Sequence, residues 1–96
     1  MDKAEVMEKV IQAVTLVQEL SGRGAGVIDS STRPVGDIEG FDSLSGVEAT
    51  VILSESLGHE IPDDNPFVSK DGRRALSVAE ITDDLCDMIG LEITSK

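Results

Sequence analysis

The segment whose residue types could do chemistry is Asp42-Ser43-Leu44, a serine between a carboxylate and an apolar side chain. Apolar spacing from about Asp42 to Leu57 predicts a helix, and Gly58 is placed to end it. Ser43 would then lie at a helix N-terminus, where free N–H groups and the positive end of the helix dipole stabilise an anion. This position therefore tolerates a phosphate ester on the serine hydroxyl.

The sequence offers no catalytic or metal-binding constellation around this serine. The chain holds one His and one Cys, and no Gly-x-Ser-x-Gly surrounds Ser43, so a nucleophile and base pair is not indicated. His59 is predicted to be a surface turn residue, and Cys86, in an apolar-spaced segment, a packing residue. The acidic run 63–65 fails as an EF-hand because apolar side chains occupy ligand and glycine positions. We predict a protein that is not an enzyme and has no metal site.

Two other segments are weaker candidates for phosphate chemistry. The glycine-rich stretch 21–26 lacks the lysine and the preceding strand of a phosphate-binding loop. Asp29-Ser30 repeats the acidic residue and serine pair, but Ser31-Thr32 follows where an apolar helix start is required. Ser30 is therefore a much weaker attachment point than Ser43.

Composition excludes several classes of partner. At 96 residues the chain is a single domain, 1–96, with little room for an enclosed catalytic cleft. A net charge of −11 and the absence of Tyr and Trp argue against nucleic acid. The lone cysteine, with no signal peptide or membrane-spanning run, predicts a cytoplasmic protein with no membrane partner. We also expect a monomer. So acidic a surface suits docking onto basic patches of other proteins.

The apolar pattern predicts helices and no convincing strand. A first helix runs from about Asp2 to Leu20, a second over 42–57, a short third over 65–69, and a last begins at Ser77. The expected fold is all-α: a small four-helix bundle of three main helices plus one short helix, with a long loop between helices one and two. The predicted inward faces are Val6, Val10, Ala13, Val17 and Leu20; Leu44, Val47, Val51, Leu53 and Leu57; and Val78, Ile81, Leu85, Met88 and Ile89.

The segment Asp42-Ser43-Leu44, followed by Val47-Glu48, resembles the hallmark of the acyl carrier protein family. The resemblance continues in order through Ile61-Pro62-Asp63 and Ser77-Val78, so it covers most of the chain. It implies that a phosphopantetheinyl transferase (holo-carrier synthase) moves 4′-phosphopantetheine from coenzyme A onto Ser43, giving a phosphoprotein. It further implies that the thiol of this arm carries acyl intermediates as thioesters, for fatty-acid or related polyketide and lipid biosynthesis.

An acidic band surrounds the proposed attachment point. Between Val35 and Ser69 there are eight acidic residues and no Lys or Arg. In the family this band docks onto basic patches of the transferase and of acyl-transferring and acyl-modifying enzymes. The resemblance implies Asp42, Ser43 and Leu44 as cofactor-binding residues, and Leu44, Val47, Glu48 and Glu55 as partner-docking residues.

The chain also departs from the pattern of fatty-acid carriers. Ser45, Ser54 and Ser56 stand where those carriers commonly have acidic residues, and the stretch 63–77 is several residues longer and holds Lys70, Arg73 and Arg74. These departures indicate a specialised rather than a housekeeping carrier. Two alternatives stay open: a peptidyl or aminoacyl carrier protein, and an unmodified, carrier-like acidic adaptor for a protein partner.

Overall fold

The computed structural model describes residues 2–24, 26–63, 65–69 and 71–90. In chain order its helices are α1 (Lys3–Leu20), α2 (Pro34–Asp37), α3 (Ser43–Leu57) and α4 (Val78–Met88). The described residues form no strand beyond one isolated antiparallel bridge between Val68 and Ala75. The predicted all-α class is confirmed. No helix in the described ranges has the length and apolar content needed to cross a membrane.

Helix α1 begins where the sequence predicts, because the Asp2 carboxylate accepts a 2.9 Å hydrogen bond from the Glu5 N–H and so caps the first turn. Its inner face is buried as expected, and Val14 and Gln18 complete it. The prediction that Leu20 faces inward is wrong, since its side chain is 76% exposed. Leu20 instead borders an open cleft between the last turn of α1 and the part of α3 that holds Glu48.

The segment between α1 and α3 is anchored near its middle. Its carbonyls at Ser30 and Thr32 accept hydrogen bonds of 2.9 and 2.8 Å from the N–H groups of Ala79 and Val78. Helix α2 is an irregular turn, because Gly36 within it has a φ of 119°. These bonds tie the segment to the start of α4.

Helix α4 has the capping box that the sequence predicts. The Ser77 hydroxyl accepts from the Glu80 N–H at 3.2 Å, and the Glu80 carboxylate accepts from the Ser77 N–H at 2.9 Å. Val78, Ile81 and Leu85 are buried, whereas Met88 and Ile89 are only partly covered. The predicted inward face is therefore confirmed for the first two turns, and it loosens at the end of the helix.

The short helix predicted over 65–69 is absent from its described residues. The Asn65 side chain accepts from the Phe67 N–H at 3.2 Å, which closes a side-chain turn instead of capping a helix. Beyond it, Leu76 N–H donates to the Phe67 carbonyl at 3.0 Å and Ser69 N–H to the Arg74 carbonyl at 2.8 Å. The backbone thus pairs across a turn rather than along a helix. Asp64 and Lys70 lie outside the described residues.

Helix α1 packs against both α3 and α4. Phe67 is fully buried, and its ring lies 5.7 Å from that of Phe41, centroid to centroid. Cys86 is buried on α4, and burial raises the pKa of its thiol. This agrees with the prediction that Cys86 is a packing residue.

Candidate functional site

Ser43 is the first residue of the 15-residue helix α3, and its side chain is exposed. The preceding residue, Asp42, is the cap: its carboxylate accepts from the N–H of Ser45 at 3.0 Å and from the Ser45 hydroxyl at 3.2 Å. Within the described part of the chain, Ser43 is hydrogen-bonded through its backbone carbonyl, and its hydroxyl has no partner. The hydroxyl is therefore available for modification at the helix start.

The N-terminus of α3 differs from that of α4 in what its N–H groups contact. At α4 the N–H groups of Val78 and Ala79 donate to carbonyls of the preceding segment. At α3 no carbonyl among the described residues accepts from the N–H groups of Ser43 and Leu44. N–H groups at a helix start that donate to no carbonyl favour an anion such as a phosphate attached to Ser43.

The Asp42 carboxylate is held in its ionised form. Its pKa lies below the usual value of an aspartate, first because the Ser45 N–H donates to it and also because the Ser45 hydroxyl does. A lowered pKa in the folded state stabilises the fold above the pKa of the unfolded chain. That stabilisation is lost as the pH falls through the pKa of the folded state.

An Asp42→Asn variant tests this cap. Asparagine keeps an oxygen that accepts from the Ser45 N–H but has no charge to titrate. At neutral pH we expect the wild type to melt at a higher temperature than the variant, because an ionised carboxylate also interacts with the helix dipole. The difference should shrink as the pH falls through the pKa of Asp42 in the folded state, because the protonated carboxyl has lost its charge. Thermal melts followed by circular dichroism measure it, and a difference that stays constant across this range would contradict the assignment.

Three apolar side chains of α3 point to solvent. Leu44, Val47 and Val51 are 68%, 40% and 57% exposed, and we call them the exposed stripe. The prediction that these three face inward is wrong. The buried face of α3 consists instead of Gly46, Ala49, Thr50, Leu53 and Leu57. Small residues on that face let α3 approach the core closely, so the bulkier stripe lies outside.

Carboxylates flank the exposed stripe on both sides. Glu48 borders the cleft toward α1, together with Val17 and Leu20. Glu55 borders a second cleft of about 530 Å³, which we call the α3 cleft. Both Glu48 and Glu55 are exposed. The lining of the α3 cleft consists of Val47, Thr50, Val51, Ser54, Glu55, Glu60, Ile61 and Asp63.

The α3 cleft begins one helical turn after Ser43, at Val47. Apolar groups of Val47, Val51 and Ile61 form part of its wall, together with three carboxylates. It is an open groove between α3 and the segment 60–63.

Sequence reasoning missed one residue at this site. Asn65 was expected to cap a short helix, but its side-chain Nδ2 donates to the Ser43 carbonyl at 2.9 Å. A Cβ on Gly46 would lie 2.5 Å from the Asn65 Oδ1, so only glycine leaves room for this contact. A glycine in a helix interior is the one signal that could have indicated a close approach at this point.

The weaker candidates lie away from α3. Ser30 lies in a turn after Asp29, whose carboxylate accepts from the N–H and the hydroxyl of Ser31. His59 is exposed, as predicted for a surface turn residue. Searched over its described residues, the chain holds no cluster of three or more His, Cys, Asp or Glu side chains suited to a metal ion.

Comparison with models of protein families, with curated proteins and with solved structures found no match for this chain. The geometry around Ser43 and the motifs of the sequence are the observations that bear on function. The geometry combines an exposed hydroxyl, a capped helix start and a flanking apolar stripe.

Proposed function

We propose that this chain is an acyl carrier protein, with a 4′-phosphopantetheine arm on Ser43 that carries acyl intermediates as thioesters. The observation that carries the proposal is the exposed Ser43 hydroxyl at the first position of α3, directly after the Asp42 cap. It stands in the sequence Asp42-Ser43-Leu44, which resembles the attachment motif of that family. The chain itself is then a scaffold and not an enzyme.

Arm attachment is a phosphoryl-group transfer catalysed by a separate phosphopantetheinyl transferase. The Ser43 oxygen forms a bond to the phosphorus that bears pantetheine in coenzyme A. The bond between this phosphorus and the bridging oxygen of the diphosphate breaks, adenosine 3′,5′-bisphosphate leaves with that oxygen, and the hydroxyl proton passes to a base of the transferase. The N–H groups of Ser43 and Leu44, which donate to no carbonyl of the described residues, favour the resulting phosphodiester.

The exposed stripe is the proposed docking surface for the transferase and for acyl-transferring and acyl-modifying enzymes. Leu44 and Val47 supply apolar contacts, and Glu48 and Glu55 supply charge that suits a basic partner surface. Apolar centres with a charged rim are typical of protein interfaces. We propose that the carrier works as a cytoplasmic monomer, in the four-helix-bundle arrangement of its family.

Labelling with a fluorescent coenzyme A analogue and a promiscuous phosphopantetheinyl transferase tests the proposal. We expect one label per wild-type chain and none on Ser43→Ala, because the hydroxyl that forms the new bond is gone. Ser30→Ala is the matched control, since it removes the serine of the other Asp-Ser pair and should label like the wild type. Label retained by Ser43→Ala would mean that the arm is attached to another residue and would contradict the assignment of Ser43. An unlabelled wild type beside an active transferase would favour the unmodified acidic adaptor.

A second cargo class is favoured by the charges of the α3 cleft. Glu55, Glu60 and Asp63 place three carboxylates in the α3 cleft, which begins one helical turn after Ser43. An ammonium group gains more from such a groove than a long alkyl chain does. An aminoacyl or peptidyl carrier is therefore the alternative, and the loading enzyme that accepts the modified protein decides between the two.

A further inference from the structure

The segment after α3 returns to the start of α3 and contacts it at three places. Asn65 Nδ2 donates to the Ser43 carbonyl at 2.9 Å, and the Asn65 amide fills the space that Gly46 leaves. The Phe67 ring packs against Phe41, two residues before Ser43. Asn65 and Ser43 are 22 residues apart in sequence, so these contacts are tertiary.

Asn65 also makes hydrogen bonds within its own segment. Its backbone N–H donates to the Asp63 carboxylate at 3.0 Å, and its Oδ1 accepts from the Phe67 N–H at 3.2 Å. The side chain is therefore fixed on its own segment before it reaches α3. A side chain fixed in this way loses little further freedom when it bonds to Ser43, so the contact is more stabilising than one from a free side chain.

The Ser43 carbonyl belongs to the first turn of α3. Within an α-helix this carbonyl accepts from the N–H four residues on, which here belongs to Val47. Helix ends fray, and the first turn is where α3 would open. A second donor on the Ser43 carbonyl holds that turn from outside the helix.

We propose that Asn65 is a positioning residue that clamps residues 61–63 and 65–67 onto the first turn of α3 and so fixes how Ser43 is presented to the modifying enzyme. This inference rests on the proposed carrier function for its consequence, but the clamp itself does not depend on it. The same contact sets the width of the α3 cleft, because Ile61 and Asp63 of the clamped segment form one wall of that cleft. When the clamp is lost, the α3 cleft becomes wider and the Ser43 hydroxyl occupies a wider range of positions.

Two variants release the clamp with opposite effects on stability. Asn65→Ala removes both amide hydrogen bonds and should lower the melting temperature. Gly46→Ala displaces the Asn65 side chain with a Cβ but favours the helix, because alanine is a better helix former than glycine. Thr15→Ala is the matched control: its hydroxyl donates to the Ile11 carbonyl at 2.8 Å, a bond from a side chain to the backbone within α1 and outside the α3 cleft.

Arm transfer and melting temperature are measured on all three variants beside the wild type. We expect kcat/KM for arm transfer to fall about fivefold in Asn65→Ala and in Gly46→Ala, the effect of about one hydrogen bond. Thr15→Ala should stay within about twofold of the wild type. If the rates instead follow the melting temperatures, so that Gly46→Ala transfers as fast as the wild type, Asn65 has only a structural role and the proposal is overturned.

Hydrogen exchange on the unmodified protein separates this inference from the proposed function. The Phe67 amide, which donates to Asn65 Oδ1, should exchange about fivefold faster in Asn65→Ala and in Gly46→Ala, and at the wild-type rate in Thr15→Ala. Unchanged exchange in the first two variants overturns the clamp. Failure of every protein, including the wild type, to accept the arm would instead refute the carrier function, and the exchange data would still decide the clamp.

Discussion

Replacing Phe67 with alanine is expected to lower the free energy of unfolding by about 3–5 kcal/mol. The Phe67 side chain is fully buried, and its loss removes the ring contact with Phe41 and leaves a cavity in the core. A domain of this size is stable by about 5–15 kcal/mol, so the variant would retain only part of its stability. Urea unfolding followed by circular dichroism measures the change.

Val27→Ala is the control for this prediction, because the Val27 side chain is 92% exposed. It should change the free energy of unfolding by less than about 0.5 kcal/mol. A Phe67→Ala variant that unfolds at the same urea concentration as Val27→Ala would show that the segment 65–67 is not part of the core. The clamp on Ser43 would then lose its structural support.

Replacing Leu44 with aspartate is expected to lower kcat/KM for arm transfer about thirtyfold, the loss of one apolar anchor from the centre of an interface. Leu44 is next to Ser43 in sequence and 68% exposed, so any enzyme that reaches the hydroxyl must cover it. A carboxylate there would have to be desolvated on docking. The stability of the unbound protein should change little, because the side chain already faces water.

Val27→Asp is the matched control for the docking prediction. It introduces the same carboxylate at another exposed apolar side chain, outside α3. Arm transfer to Val27→Asp should stay within about threefold of the wild type, since its charge acts only at long range. Equal losses in both variants would mean that added negative charge, and not the exposed stripe, sets the rate.

The starts of α1, α3 and α4 could be predicted because their caps are local. Asp2, Asp42 and Ser77 each bond to an N–H three residues on, within reach of sequence reasoning. The inner face of α3 could not be predicted in the same way. Two apolar stripes share the helix, and only packing against α1 shows that the face with Gly46 and Ala49 is buried.

The segment 65–69 shows a second limit. An asparagine before a proline is typical of a helix start and equally of a side-chain turn, and long-range bonds decide between them. Here the N–H of Leu76 donates to the Phe67 carbonyl, which favours the turn. The exposed position of Ser43 follows from local sequence, whereas its contact with Asn65 depends on the tertiary fold.

We propose above that Ser43 carries a phosphopantetheine arm. Intact mass shows this on the wild-type protein after incubation with coenzyme A, magnesium and an active phosphopantetheinyl transferase, followed by fragmentation of the peptide that contains residue 43. We expect a gain of one phosphopantetheine on every chain, located on Ser43. An unchanged mass, or an arm located on any other serine, would contradict it.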